Sequence, residues 1–436
     1  MTQPPLPEQT EQIEQAAQPE QPTCPVTHPV THPAPVPLSG PRFHTEPQSL
    51  YREIRREHGP VVPVELYGGV PAWLVIGYHE LHQVTSDPVL YSRDRSLWNQ
   101  WPHLAPDWPL LPVVGPPAPS VYFSAGEEHR RHADLVTRAL ETVDPFSCRR
   151  ACEEIADRLI DAFCGRGEAE LVAAFSVHLP KYALLRLFGF PDGKGPELAR
   201  LLNELVDGGP GARRAHAEWM AAIAALVADR RADPDAGLVS WLLANAGDFT
   251  DEEILLDIRD TIGAGFLPTS DWIGSTVRLM LTDDRFAAAL GGGRHSVGQA
   301  MNEVLWEETP SQIVAGRFAA RDTRLAGCAI RAGDLLLLGL GAANNDPLVR
   351  QHLTPAQSGN SAHFAYGHGA YRCPYPAQEL AEIIARTGVE VLLDRLPDLE
   401  LAVEPQELMR RPSAFLRGMT ALPVRFTPVP AIGGIS

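Results

Sequence analysis

Apolar residues recur at three- and four-residue spacings through most of the chain, and the longest such run opens on a capping box. Thr250-Asp251-Glu252-Glu253 supplies the box, and Ile254, Leu255, Ile258, Ile262, Ile273, Val277 and Met280 carry the pattern onward, which predicts one helix over 250–281. Leu380, Ile383, Ile384, Val391 and Leu392 predict a second core helix over 377–396. Further helices are expected over 48–58, from Glu128 through Leu140, in succession over 150–290, and over 296–309. Strand signals are few. Residues 61–64 and 72–76 read as a hairpin joined through Gly68-Gly69. The pattern predicts a mainly α fold with small β-sheets, an α+β arrangement.

Where the periodicity lapses, composition decides the reading. Residues 1–38 hold ten prolines, many Gln and Glu, and no Lys or Arg. Such a segment buries too little apolar surface to offset its ordering entropy and is expected to be a disordered tail. Cys24 and the Pro-Val-Thr-His repeat at 25–32 suggest a metal tract, but a plain tail is the better reading, because no scaffold converges those side chains. Residues 39–429 read as a single domain and 430–436 as a flexible C-terminus. The Pro- and Trp-rich stretch 87–120, with Trp98, Trp101 and Trp108, reads as a packed lid. Gly208-Gly209-Pro210-Gly211 marks a break between helices that suits a mobile lid.

The chain has 436 residues, 44% of them apolar, enough for a sizeable core. Its net charge of -17 argues against nucleic acid or an anionic membrane as the main partner. No apolar run approaches the ~20 residues needed to span a bilayer. Six cysteines without regular spacing or a CxxC pair point to a reducing cytoplasm. Cys148 and Cys152 share a helix face with no histidine at ligand spacing and read as packing.

The candidate chemistry lies in 363–376, His-Phe-Ala-Tyr-Gly-His-Gly-Ala-Tyr-Arg-Cys-Pro-Tyr-Pro. Gly367 and Gly369 make a tight loop able to lie against a flat ligand. Cys373 then falls at the start of the helix over 377–396, where backbone N–H groups and the dipole favour a thiolate. A thiolate so held suits haem iron, whereas a lone cysteine taken by itself is more often structural.

This stretch resembles the haem-binding loop of cytochromes P450, F-x-x-G-x-x-x-C-x-G. Phe364, Gly367 and Cys373 fall in order, although Tyr366 is the aromatic nearest the glycine and Tyr375 replaces the glycine after the cysteine. The resemblance runs from about residue 39 to residue 429 and looks closest to actinobacterial members. It implies the P450 fold and haem b (iron-protoporphyrin IX), with Cys373 as the metal ligand and Phe364, Tyr366, Gly367, Gly369 and Tyr371 around the cofactor. It also places His129 and Arg317 on the haem propionates, and puts 409–418 in a hairpin closing the pocket. The family arginine four residues after His129 is Ala133 here.

Two further family patterns are altered. In A/G-G-x-D/E-T-T/S, Ala264 and Gly265 match, but Leu267 holds the acid position and Pro268 the threonine position. Thr269 or Ser270 is left as the substitute alcohol, one residue and so ~100° further round the helix. In E-x-x-R, Glu303 is present and Trp306 replaces the arginine. No arginine occurs in 354–361, so a buried Glu303 is expected to lack its cation, with the Trp306 indole N–H one candidate partner. Arg130, Arg131, Arg149 and Arg150 would form a positive patch for an acidic ferredoxin served by its reductase. The implied activity is O2-dependent monooxygenation of a small or medium apolar molecule. The alternatives are a peroxide-using haem-thiolate enzyme and a haem-binding or regulatory protein with little catalysis.

Overall fold

The computed structural model describes residues 34–38, 40–115, 118–207, 210–286, 294–350 and 360–433. Most of the segment 1–38, including Cys24 and the repeat at 25–32, lies outside them, as does Gly208-Gly209 of the expected lid. Structure nevertheless begins inside the expected tail. Val36–Pro37 pairs in parallel with Val64 and Glu65, and Leu38 is buried. At the other end, the backbone N–H groups of Ile432 and Gly433 donate to the Asp161 carboxylate, so residues 432–433 are tied down where flexibility was expected.

The capping box forms as its sequence predicts. Thr250 accepts from the Glu253 N–H while the Glu253 carboxylate reaches back to the Thr250 N–H, and the helix Asp251–Thr282 follows. Against this central helix pack His178–Leu187, Ala212–Ala232, Arg294–Glu307 and Tyr375–Arg395. Ile254, Ile258, Ile262, Ile273, Val277 and Met280 face that helical core, together with Cys148, Cys152 and Cys164, which are free thiols. Among the described residues no group of His, Cys, Asp or Glu could hold a metal ion by itself.

The predicted hairpin is Val61–Leu66 paired antiparallel with Val70–Val75, turned by Gly68 and Gly69, both at positive φ. It belongs to a six-stranded sheet in which Leu335–Leu338, Val314–Ala319 and Tyr91–Ser92 follow in that order. A second core lies under this sheet. It includes Trp98 and Trp108, with Trp98 packed 5.0 Å from Trp101 and 5.8 Å from Trp108 between ring centroids. The Trp108 indole N–H donates to the Tyr67 carbonyl at 2.8 Å and that of Trp101 to the Arg95 carbonyl at 2.6 Å. The aromatics thus fasten the 91–114 segment to the sheet, and in doing so they fix Arg93 and Arg95.

The C-terminal hairpin, bridged between Arg410 and Met419, is held to the body by a charge cluster. Buried Glu308 accepts from Arg278 at 2.8 Å, Arg410 at 2.5 Å and Arg417 at 3.4 Å. Burial alone would raise its carboxyl pKa. The guanidiniums of Arg410, Arg417 and Arg278 overcome that and hold it down at about 2.

Candidate active site

The cysteine loop is closed by its own backbone. The Cys373 N–H donates to the Tyr366 carbonyl at 2.8 Å, and the Gln378 side-chain amide donates to the Cys373 carbonyl at 2.6 Å. Gly367 and Gly369 take φ of 72° and 73°. A Cβ on Gly369 would lie 2.0 Å from the Thr85 carbonyl oxygen, so only glycine fits there. Pro374 is the N-cap of the helix Tyr375–Arg395, with Pro376 inside its first turn. Cys373 is half-buried, and burial pushes its thiol up to about 12. Burial thus disfavours the charged form that the helix start favours, and a cation bound at the sulfur would favour the thiolate. The aromatic beside the cysteine is Tyr366, whose phenol is raised first by burial and then by Cys373. Phe364 turns the other way, into a third core, 4.6 Å from Tyr78.

Midway along the central helix, Gly263 and Ala264 are exposed while the residues around them are largely buried, which marks an open face on an otherwise enclosed element. Leu267 and Pro268 flank that face. Pro268 has no N–H to offer the Ala264 carbonyl one turn back. Gly265 points elsewhere: a Cβ there would sit 3.0 Å from Leu184, so its smallness serves the packing of His178–Leu187. Thr269 is buried with its hydroxyl donating to the Gly265 carbonyl at 2.6 Å, and Ser270 donates likewise to Phe266 at 2.8 Å. Five residues along a helix is a rotation of about 140°, so Thr269 does not share the face of Ala264.

Two carboxylates that sequence reasoning passed over do lie on that side, one and two turns before Ala264. Asp260 accepts from the Ser120 hydroxyl at 2.5 Å and from Arg259 at 2.8 Å, and burial raises its pKa. Asp257 accepts from the Val121 N–H at 2.6 Å and lies 2.6 Å from His132 Nδ1.

Near them is a cluster of buried cations. Arg317 is 3% exposed and donates through Nη1 to the Gly316 carbonyl at 3.0 Å, with its guanidinium 4.6 Å from the Tyr371 ring centroid. Arg93 lies 5.0 Å from both the Tyr122 and Tyr371 rings. Arg95, fully buried, donates through Nε to the Val114 carbonyl at 2.5 Å. Among the described residues no carboxylate forms an ion pair with any of the three. Burial, then the Arg93 charge, lowers Arg317 to about 9 and Arg95 to about 10. The same two causes push His129 down to about 4, so it is neutral at pH 7, with Nδ1 2.9 Å from the Val121 carbonyl and its ring 4.7 Å from Tyr371. Buried guanidiniums without counter-charge call for an anionic ligand. Tyr371, which stacks on two of them, is two residues from Cys373. The residues present therefore fit a flat metal macrocycle bearing two carboxylates.

On the proximal side the expectation for Glu303 is corrected. It is not deprived of a cation: Arg350, from the helix Pro347–Arg350, pairs with it, and its side chain is 40% exposed. The Trp306 N–H donates instead to the Asn360 carbonyl at 2.9 Å. Trp306 is buried, edge-on to His363 at 5.7 Å, with Arg350 5.7 Å from its ring. The arginine patch is also largely neutralised. Arg130 pairs with Glu127, Arg131 with Glu253 and Asp248, and Arg149 with Glu153 and Glu390, while Arg150 is exposed.

A mainly helical body with these small sheets, a glycine-loop cysteine and an open helix face define the cytochrome P450 fold, and the comparisons agree. No protein-family model matches the chain. It is 29% identical to cytochrome P450 107B1 of Saccharopolyspora erythraea over 88% of this chain and 96% of that protein. It is 29% identical to the cytochrome P450 monooxygenase PikC of Streptomyces venezuelae over 89% and 92% respectively. A solved structure of CYP154C4 from a Streptomyces species superposes with a TM-score of 0.81 at 25% identity, covering 90% of this chain and 98% of that one. That of PksS from Bacillus subtilis gives 0.78 at 27% identity, covering 89% and 98%. The chain therefore has the cytochrome P450 fold and is similar along most of its length to bacterial cytochrome P450 monooxygenases, which carry haem on a cysteine thiolate.

Proposed function

We propose that this chain oxidises a small or medium apolar molecule with O2 at a haem-thiolate centre, drawing electrons from a ferredoxin and its reductase in the cytoplasm. The observation that carries the reading is the junction at Tyr371, where the loop holding Cys373 meets the uncompensated buried guanidiniums. Cys373 would supply the thiolate ligand, and Arg317, His129 and the rest of the cation cluster would hold the propionates. When bound, the haem supplies the activation of the oxidant. Ala264 leaves room at the open face of the central helix, and Leu267 and Pro268 would present an apolar surface there that suits an apolar substrate and excludes water. No helix among the described residues is long and apolar enough to cross a membrane.

Peroxide as oxidant is the second reading, and specific residues favour it. Thr269 and Ser270 commit their hydroxyls to their own helix, and the acid and alcohol positions are Leu267 and Pro268. These residues would then offer no free proton donor to an oxidant that needs one, as dioxygen does, whereas peroxide brings its own protons. The carbon monoxide difference spectrum of the reduced protein tests the common ground: a thiolate-type band in the wild type, absent in Cys373→Ser, is expected. A band that survives in Cys373→Ser sinks the assignment. Turnover with ferredoxin and O2 set against turnover with peroxide separates the two oxidants.

A further inference from the structure

The cation cluster holds more positive charge than the resemblance assigns to it. His129 and Arg317 occupy family positions, but Ala133 has no charge to contribute, and Arg93 and Arg95 lie in a different segment altogether. We propose that Arg93, backed by Arg95, is the main carboxylate anchor for the macrocycle in this chain, replacing the arginine that the family carries four residues after its helix histidine. The proposal rests on the haem-thiolate reading above.

Several features of the structure converge on it. Arg93 Nε, Arg95 Nη1 and Nη2, and Arg317 Nε are buried with no hydrogen-bond partner. A side chain 7% exposed, as Arg93 is, or fully buried, as Arg95 is, keeps a charge only if something compensates it. Among the described residues the carboxylate acting on both is Asp260, and it is already engaged by Ser120 and Arg259. With Asp260 taken by Arg259, the three guanidiniums have no ion-pair partner of their own among the described residues, and a dicarboxylate macrocycle brings two negative charges to them. Placement agrees with the count. Arg93 and Arg317 both stack on Tyr371, and Arg93 is the neighbour that most depresses His129 after burial, so all three address one small region beside the Cys373 loop. Arg95 stands behind, clamped by the Val114 carbonyl and by the Phe123 ring at 4.4 Å, with its backbone carbonyl taken by Trp101. That clamping pre-orients the segment, so little freedom is lost when a carboxylate arrives.

The test measures haem loss from the holoprotein to an excess of a haem-scavenging globin. Charge-assisted hydrogen bonds of this kind predict loss on the order of tenfold to a hundredfold faster in Arg93→Gln. A smaller acceleration is expected in Arg95→Gln. Ala133→Arg placed in the Arg93→Gln background should restore slow loss, because it returns the charge by the family's route. A packing role for Arg93 would not respond to that rescue. Arg93→Gln losing haem at the wild-type rate overturns the proposal, as does an acceleration that Ala133→Arg leaves untouched. If Arg93→Gln keeps its haem but loses the spin-state shift given by dodecanoate, the cluster reads substrate carboxylates and the proposal falls. A wild type with no thiolate-type spectrum sinks the haem-thiolate reading itself, which is a different failure.

Discussion

Replacing Trp306 by alanine removes a side chain only 2% exposed at the end of the helix Arg294–Glu307. Truncating a buried Trp typically costs ~3–5 kcal/mol. The indole N–H bond to the Asn360 carbonyl adds about 1 kcal/mol and leaves that carbonyl unpaired. Arg350 also loses the ring it lies 5.7 Å from, which loosens the pair it makes with Glu303. Chains of this size lose roughly 1–2 °C in midpoint per kcal/mol, so thermal unfolding of holoprotein at fixed haem concentration should show a drop of about 4–12 °C. Trp306→Phe keeps most of the packing and should lose a few degrees at most. Trp306→Arg restores the family residue but sets a second guanidinium beside Arg350, which already serves Glu303, and should also destabilise. A Trp306→Ala midpoint within a degree of wild type would refute the packing argument. Stabilisation by Trp306→Arg would show that Arg350 does not satisfy Glu303.

Glu308 gives an acid signature. Its folded pKa of about 2 lies below the ordinary 4.5, so the stability it confers is whole above about pH 5 and drains away as pH falls toward 2, about 3 kcal/mol in all. Glu308→Gln should lower stability at neutral pH and flatten that acid limb in chemical denaturation; an unchanged limb would place the charge elsewhere. Gly369→Ala should wreck the cysteine loop, since its Cβ would meet the Thr85 carbonyl at 2.0 Å in a positive-φ conformation, and haem content after purification measures it. Pro374→Ala should raise the reduction potential, because it restores one N–H donor near the Cys373 sulfur; spectroelectrochemical titration that finds the potential unchanged or lower removes that argument.

The sequence declared the elements that depend on local chemistry. The capping box at Thr250 and Glu253, the Gly68-Gly69 hairpin, and the helix after Cys373 each rest on residues a few positions apart, and each forms within a few residues of its expected limits. Side-chain direction was less legible. Gly265 and Thr269 fall inside a family pattern, yet the packing of Leu184 and a 2.6 Å backbone bond turn them away from the open face. Asp257 and Asp260 were passed over because a charged residue on a long helix reads as solvated until the partners that bury it, His132 and Ser120, are known.

The arginines missing from family positions 133 and 306 show why such motifs mislead in a single sequence. Position 306 has lost its cation, but Glu303 has not: Arg350 reaches it from a separate short helix across 47 residues of chain. Nothing in the spacing of E-x-x-W reveals that, since Arg350 falls outside the stretch 354–361 where an arginine was sought. Position 133 is the second case, if Arg93 serves as proposed, with the charge arriving from the Ser-Arg-Asp-Arg-Ser segment before the tryptophans. An electrostatic requirement belongs to a point in space, and any element that reaches the point can meet it. Such relocation is open mainly to long side chains that deliver charge several ångströms from their own backbone. It is closed to Gly369 and Cys373, where the backbone itself must pass, and those are the positions at which this chain keeps the family's residues.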